Sequence, residues 1–511
     1  MKIKNSLLYI SFSILSLSAC SDDHNYVSND PDAAPSGTLG YYDVNDLSQS
    51  YSMFYKPSHG WVGDPMPFYE NGTFHVFYLQ DTRPAPATFH PWYKSITTDF
   101  VSYTDAGEMI PCGADNSQED ALGTGSVFKN GNIYYAFYTA HNGDLDPKEF
   151  IYLATSSDLK AWTKQPSFSF RAPDGYDRDE FRDPFILKEG NEFKMLVSTR
   201  ADIGGGAWKG VIAQFKSNDL LTWEVDTANP FFYIDDNEFM VECADVFTEN
   251  GYQYIVYSGI DSRLVHYKYR KQGVQAWTTP ANNALDGITF YAAKTASDGT
   301  SRYLFGWAPT RTGNNDSSDF SWGGSLVVHQ LNQNSDGTLS VIMNNLIDQK
   351  LVNGVELKIT GSYSSQTVSD SYTLKGTEAA QDYITFDRLT GINKIKTTIK
   401  PSTATKFGFE FGASGNRREV FALQFDTEAK KIELNKVLRL DGTSETITSV
   451  DLPISSNGEY NVSLLIENSV CVLYVNDKIA FTNRIYAMNQ NAWGIMSNNG
   501  EVTFSNVKIY K

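Results

Sequence analysis

Five segments of the chain repeat one pattern: ENGTFHVFY from Glu70, KNGNIYYAFY from Lys129, EGNEFKMLVS from Glu189, ENGYQYIVYS from Glu249 and, more loosely, SDGTSRYLFG from Ser297. Each is a polar turn closing on glycine and then a run of aromatic and aliphatic residues, which reads as a tight turn feeding a buried strand. The turn glycines Gly72, Gly131, Gly190 and Gly251 are spaced by 59, 59 and 61 residues, and Gly299 follows after 48. A second marker keeps the same beat, because TTDFVSY, SSDLKAW and SNDLLTW place Asp99, Asp158 and Asp219 at intervals of 59 and 61. Two independent markers in one register imply duplicated structural units. Each unit has room for about four short strands, is rich in turns and carries almost no helical periodicity, the signature of a β-propeller blade. Five units predict a five-bladed propeller over residues 41–352. From 361 to 511 the pattern changes to alternating strands such as KFGFEFGASG, EVFALQFDTE and KIELNKV, which fit a β-sandwich of two packed sheets. The fold class is all-β.

The first strand of a propeller blade lines the central channel, so equivalent points of successive first strands converge on the axis. The units open with VGDPMPFY, GTGSVFK, RDPFILK, VECADVF and YAAKTAS; Asp64, Asp183 and Glu242 precede their turn glycines by 8, 7 and 9 residues. Taken singly, Asp-Pro at Asp64 and Asp183 is a turn starter. Taken together, three carboxylates share one pocket, where they repel one another and lose hydration, a cost that a purely structural role avoids with neutral side chains. The chemistry that needs such a pair is glycosidic cleavage, in which one ionised acid attacks or stabilises an oxocarbenium-like centre and a second, with a raised pKa, protonates the leaving oxygen. A calcium site would gather more oxygens in one loop, and no Cys or His spacing suits a metal, so neither metal nor cofactor is expected.

Composition narrows the partner. A formal charge of -18 argues against nucleic acid or an anionic membrane as a surface ligand and leaves a neutral one. Aromatics are 14% of the chain, which suits strands and also sugar faces stacking on rings. Trp61, Phe89, Trp92 and Trp322 fall near the predicted pocket; core or rim packing explains all but Trp61, whose adjacency to Asp64 assigns it to the pocket. The N-terminus has Lys2 and Lys4, an apolar stretch from Leu7 to Leu17 too short to span a bilayer, and then Leu17-Ser18-Ala19-Cys20. This resembles a bacterial lipoprotein signal over residues 1–20, with Cys20 the lipidated residue, followed by a polar tether over 21–40. Its SDD start resembles the surface-export signal of Bacteroidetes lipoproteins, which implies the outer membrane and the cell surface, reached through the lipid alone. Cys112, Cys243 and Cys471 are an odd set and read as buried thiols.

The order of motifs resembles glycoside hydrolase family 32, the invertase, levanase and inulinase family. Its Trp-Met-Asn-Asp-Pro-Asn-Gly motif is matched by WVGDPMP at Trp61–Pro67, its Arg-Asp-Pro by Arg182–Pro184 and its Glu-Cys by Glu242–Cys243. The resemblance implies Asp64 as nucleophile, Asp183 as the residue that binds fructosyl hydroxyls and steadies the transition state, and Glu242 as acid/base. Smaller matches are Gln80, GTGS at Gly123–Ser126 and DGITFYAAKT at Asp286–Thr295; with Trp61, the residues Gln80, Ser126 and Arg182 are the implied substrate-binding set. Arg182 either donates to a sugar hydroxyl or holds Asp183 ionised. LLIENSVCVLYVNDKIAFTNRIY is similar to the family's C-terminal β-sandwich.

The sequence departs from the family pattern at Gly63 for asparagine, at Met66-Pro67 for Asn-Gly, and at His329 for a Pro-Arg pair, each change removing polar groups expected at the fructose subsite. The implied activity is retaining hydrolysis of β-fructofuranosidic bonds in levan- or inulin-type fructans, with the acids about 5 to 5.5 Å apart. The alternatives are a surface glycan-binding lipoprotein without turnover and a five-bladed furanosidase acting on arabinosides.

Overall fold

The computed structural model describes residues 50–81, 90–234, 238–363, 366–368, 370–377, 380–413, 419–438 and 443–511. Its N-terminal part is a ring of five antiparallel blades. The first contains Trp61–Glu70, Thr73–Asp81, Trp92–Thr97 and Thr104–Ile110, and the second Ala121–Asn130, Ile133–His141, Glu149–Ser156 and Thr163–Lys164. The third is built on Tyr176–Glu189, Glu192–Asp202 and Trp208–Ser217, edged by two short strands, and the fourth on Val241–Glu249, Tyr252–Gly259 and Val265–Lys271. The fifth contains Tyr291–Ser297, Arg302–Arg311, Phe320–Gln333 and Leu339–Ile342. Val62 pairs with Gly324, so the first and fifth blades join and close the ring.

The two sequence markers are the turns of this repeat. At Asn71-Gly72 (φ 48° and 80°) and Asn250-Gly251 (44° and 80°) both central residues are left-handed, the two-residue hairpin that matches strand twist and favours Asn-Gly. The aspartate marker is a side-chain-closed turn. Oδ1 of Asp99, Asp158 and Asp219 accepts the N–H groups two and three residues on, and Oγ of Thr97, Ser156 and Ser217 accepts that of Phe100, Leu159 and Leu220. Those last three residues take φ of 58°, 61° and 66° while their side chains are buried. The hydroxyl and carboxylate supply the hydrogen bonds that the turn backbone cannot make with itself.

The C-terminal part is a sandwich centred on the long strand Ala492–Tyr510. It begins earlier than residue 361: Gly354–Val355 pairs with that strand and Ile359–Ser362 with Asp382–Phe386. These strands are short and mostly exposed, so no alternation marks them in the sequence. The sandwich is fixed to the propeller by buried polar bonds. Arg484 donates to the carbonyls of Ala308 and Pro309 and to Ser325 Oγ, and Glu467 accepts the N–H groups of Ser52 and Phe54. His329 belongs here too, bonded to Asp286 (3.0 Å) and Tyr474 (2.8 Å), while Asp286 also accepts from Thr482. His329 therefore belongs to the contact between the two domains and not to a sugar subsite, correcting the expectation from its motif.

Candidate active site

Each first strand slips register with its neighbour near the channel: between Gly63 and Met66, Leu122 and Gly125, Arg182 and Phe185, Glu242 and Asp245, and Tyr291 and Lys294, and the third slips again between Tyr176 and Phe181. Such a bulge bends the strand and re-aims the side chains at the bend. Asp64 (φ 39°), Asp183 (59°), Cys243 (56°) and Ala292 (51°) are left-handed there, a conformation that costs non-glycine residues energy and persists where packing enforces it. Asp64 and Asp183 are structural equivalents. Glu242 is not; it stands one residue earlier, in step with Gly63, Arg182 and Tyr291, and the two successive bulge positions together supply the acids.

A cavity opens at these bends. Asp64, Gly123, Thr124, Arg182, Asp183, Glu242 and Tyr291 come to it from the five first strands, joined by Thr139, His141 and Glu149 of the second blade and by His90 and Trp322. Asp64 accepts from Thr124 Oγ1 (2.7 Å) and Trp307 Nε1 (3.1 Å). Asp183 accepts the Cys243 N–H (2.7 Å), and its own N–H donates to Thr139 Oγ1 (2.9 Å). Glu242 accepts from Tyr291 OH (3.0 Å) and has Arg182 Nε at 3.8 Å. Arg182 is shared: its Nε also lies 3.4 Å from Glu149, and its terminal nitrogens donate to Glu180.

Burial dominates the electrostatics. It raises Asp64 to about 6, against the hydrogen bonds from Thr124 and Trp307 and with the Asp183 charge adding to it. It raises Glu242 to about 7, with Arg182 pulling down and the charges of Asp183 and Asp64 pushing up. Asp183 also moves up through burial, opposed by Lys294 and Arg182. The Cys243 thiol is pushed well up by burial beside these carboxylates and stays neutral. Burial thus raises both carboxyl groups, and a raised carboxyl can hold a proton for a leaving group near neutral pH.

Of the candidate site residues read from the sequence, Asp64, Asp183, Glu242, Arg182 and Trp322 meet at this cavity, and Trp61, Gln80, Ser126 and Trp92 do not. Trp61 is fully buried between Lys56 (5.1 Å) and Arg484 (5.6 Å), because alternation turns it away from the face that presents Asp64; it offers no ring to a sugar. Gln80 is buried and donates to the His59 carbonyl. Ser126 Oγ donates to Pro184 O (2.8 Å) and accepts the Ile186 N–H (3.2 Å), so it ties the second blade to the Asp183 bend and does not line the cavity. Trp92 is fully buried and donates to Gly123 O. Phe89 and Cys20 lie outside the described residues. Thr124 and Tyr291, which lie in the matched GTGS and DGITFYAAKT stretches without being candidate site residues there, precede Gly131 and Gly299 by 7 and 8 residues, the interval of the acids. His141 and Glu149, on second and third strands, carry no such marker.

Residues 54–340 match the N-terminal domain of glycosyl hydrolases family 32, and residues 337–509 match the GH32, BT1760-like, C-terminal domain. The chain belongs to glycoside hydrolase family 32. It is a glycosidase. It is 24% identical to a sucrose-6-phosphate hydrolase of Staphylococcus xylosus over 88% of this chain and 90% of that one. It is 27% identical to fructan 1-exohydrolase w2 of Triticum aestivum over 55% and 53%. Fructan 1-exohydrolase IIa of Cichorium intybus shares its fold at a TM-score of 0.71 and 18% identity, over 92% of this chain and 98% of that one.

In this family 32 enzyme the motif departures have local causes. A Cβ at Gly63 would lie 2.1 Å from the Trp322 indole, so the space that a side chain at 63 would take is filled by a ring from the fifth blade. The indole stacks on His90 at 3.9 Å and lines the cavity. At the position where the family carries the asparagine amide, an apolar wall therefore stands. Met66 is buried, and its Sδ accepts the Gly125 N–H at 3.1 Å, so it packs the first bend against the second.

Proposed function

We propose that this glycosidase cleaves β-fructofuranosidic bonds in fructan chains with retention of configuration. The observation that carries the reading is the cavity itself, where Asp64 and Glu242 converge beside Asp183. Asp64 attacks the anomeric carbon of the fructosyl unit as Glu242 gives its proton to the departing oxygen, leaving a fructosyl ester on Asp64. Glu242, now a carboxylate, takes a proton from water, and the water oxygen displaces Asp64. Asp183, fixed by the Cys243 N–H, accepts from fructosyl hydroxyls and strengthens that hold as charge develops.

The working form has Asp64 ionised and Glu242 protonated. Activity therefore falls as pH drops through the Asp64 value and falls again as pH rises through the Glu242 value. The expected profile of kcat/KM is a narrow bell with limbs near 6 and 7, which belong to the coupled site. An acid limb at the ordinary carboxylate value, with activity flat up to neutrality, contradicts this electrostatic arrangement.

With Trp322 where an amide would bond a hydroxyl, a single fructosyl unit loses a hydrogen bond, and added sugars must make up the affinity. Reducing-sugar release from equal masses of sucrose, inulin, levan and arabinan is expected to be greatest on a fructan and weak on sucrose. Sucrose as the best substrate contradicts the argument from Gly63 and Trp322, and release from arabinan alone moves the enzyme to arabinosides. The relatives' names support the sugar class, one being a sucrose-6-phosphate hydrolase and one a fructan exohydrolase.

The enzyme is also proposed to work at the cell surface, tethered through Cys20. Cys20→Ala is expected to move it from the membrane fraction to the soluble one, since the acyl chains alone supply the anchor. An unchanged membrane fraction removes that proposal.

A further inference from the structure

Four aromatic residues are strongly exposed among the described residues, namely Trp208, Tyr233, Phe239 and Tyr363, and the first three lie on or beside the third blade. Phe239 stands three residues before Glu242, so its Cα is no more than about 11 Å from that of the proposed acid. Its ring is 42% exposed and is backed by the Arg200 guanidinium at 4.2 Å. Arg200 pairs with Gly210 and directly follows Thr199, which the register at the two bends (Leu122 with Ala140, Arg182 with Ser198) makes the third blade's equivalent of the cavity-lining His141. Arg200 is held by Asp177 at 3.2 Å.

Trp208 extends the same surface. Gly210 pairs with Arg200, and a Cβ on Gly210 would meet Met240 Cα at 3.0 Å and the Phe239 carbonyl at 3.1 Å. The third strand of this blade thus lies directly against the segment that carries Phe239. Trp208 is two residues from Gly210 and shares its strand face. It is 40% exposed, and Asp202 is its register partner. Tyr233 pairs with Val211 and so falls on the opposite strand face, over Lys209, which removes it from this patch.

We infer that Phe239 and Trp208 form a stacking surface for the leaving-group side of a neutral glycan chain whose terminal unit occupies the Asp64–Glu242 cavity. The direction follows from the chemistry: the group that protonates the departing oxygen marks the side on which the departing sugar lies, and Phe239 lies on the segment leading out from that group. The occupant is neutral because rings bind sugar C–H faces and the -18 charge of the chain repels an anionic polymer. This inference rests on the fructan reading above and deepens it, placing the polymer beyond the cavity along the third blade.

The test compares Phe239→Ala, Trp208→Ala and the double variant with the unaltered enzyme on sucrose and on its best fructan polymer. Each substitution is expected to lower the ratio of polymer to sucrose kcat/KM about fivefold, mainly through KM for the polymer, and the double variant to lower it further. Retardation of the Asp64→Asn protein in gels containing levan, inulin or arabinan reads chain binding without turnover, and the two aromatic substitutions are expected to abolish it. Unchanged ratios with unchanged retardation overturn the inference while leaving the fructan reading in place. An equal loss on sucrose and polymer also overturns it, since the rings would then only support the cavity. Absence of cleavage of every fructoside overturns the fructan reading, whereas retardation still decides the aromatic surface.

Discussion

Asp64→Asn is expected to remove turnover on every fructoside by roughly 10,000-fold or more, the scale on which enzymes lose a covalent nucleophile. The amide keeps the shape of the carboxylate but cannot attack the anomeric carbon. Stability is expected to hold or rise. Asparagine retains one acceptor for the two donors that Asp64 now satisfies, Thr124 Oγ1 and Trp307 Nε1, which loses a hydrogen bond worth about 1 kcal/mol. Against this, it removes a buried charge that repels Glu242 and raises its proton affinity. Initial rates on sucrose and fructan together with a thermal melt check both halves. A variant with more than a hundredth of the original rate contradicts the nucleophile assignment, and a clearly lowered melting temperature contradicts the claim that the charge is held there for function.

Glu242→Gln is expected to separate substrates by leaving group. On sucrose or fructan, whose departing oxygen needs a proton, the loss should be about 100- to 10,000-fold. An activated aryl fructoside needs no such help in the first step, so that step is spared. The second step then lacks a base for water, and a burst of aryl alcohol equal to the enzyme concentration should precede slow turnover. Stopped-flow absorbance on the activated substrate, set against steady-state rates on sucrose, reads both effects. Equal slowing on the two substrate types, with no burst, shows that Glu242 does not serve as acid and base.

The sequence carried the repeat itself. Asn-Gly and Ser-x-Asp turns demand particular backbone geometry from particular residues, so their spacing survives as a visible period, and the period fixes five blades and which strand of each faces the channel. Spacing alone therefore puts Asp64 and Asp183 at one point of the repeat. The one-residue offset of Glu242 was not legible, because a bulge is a property of two paired strands and a single strand does not encode it.

Side-chain direction and the identity of neighbours were decided only in three dimensions. Trp61 is three residues from Asp64 and yet faces the core. Ser126 lies in a motif that matches the family but bonds across to the next blade, and His329 works at the contact with the sandwich. Gly63 and Trp322 are 259 positions apart in the sequence, and no local pattern shows that one exists to make room for the other. The proton affinities of the acids belong to the same class, since they follow from how completely five strands exclude water from the cavity. Local turn chemistry and strand alternation are written along the chain; burial, cross-blade contact and electrostatics arise from the closure of the ring, which brings together residues that the sequence keeps apart.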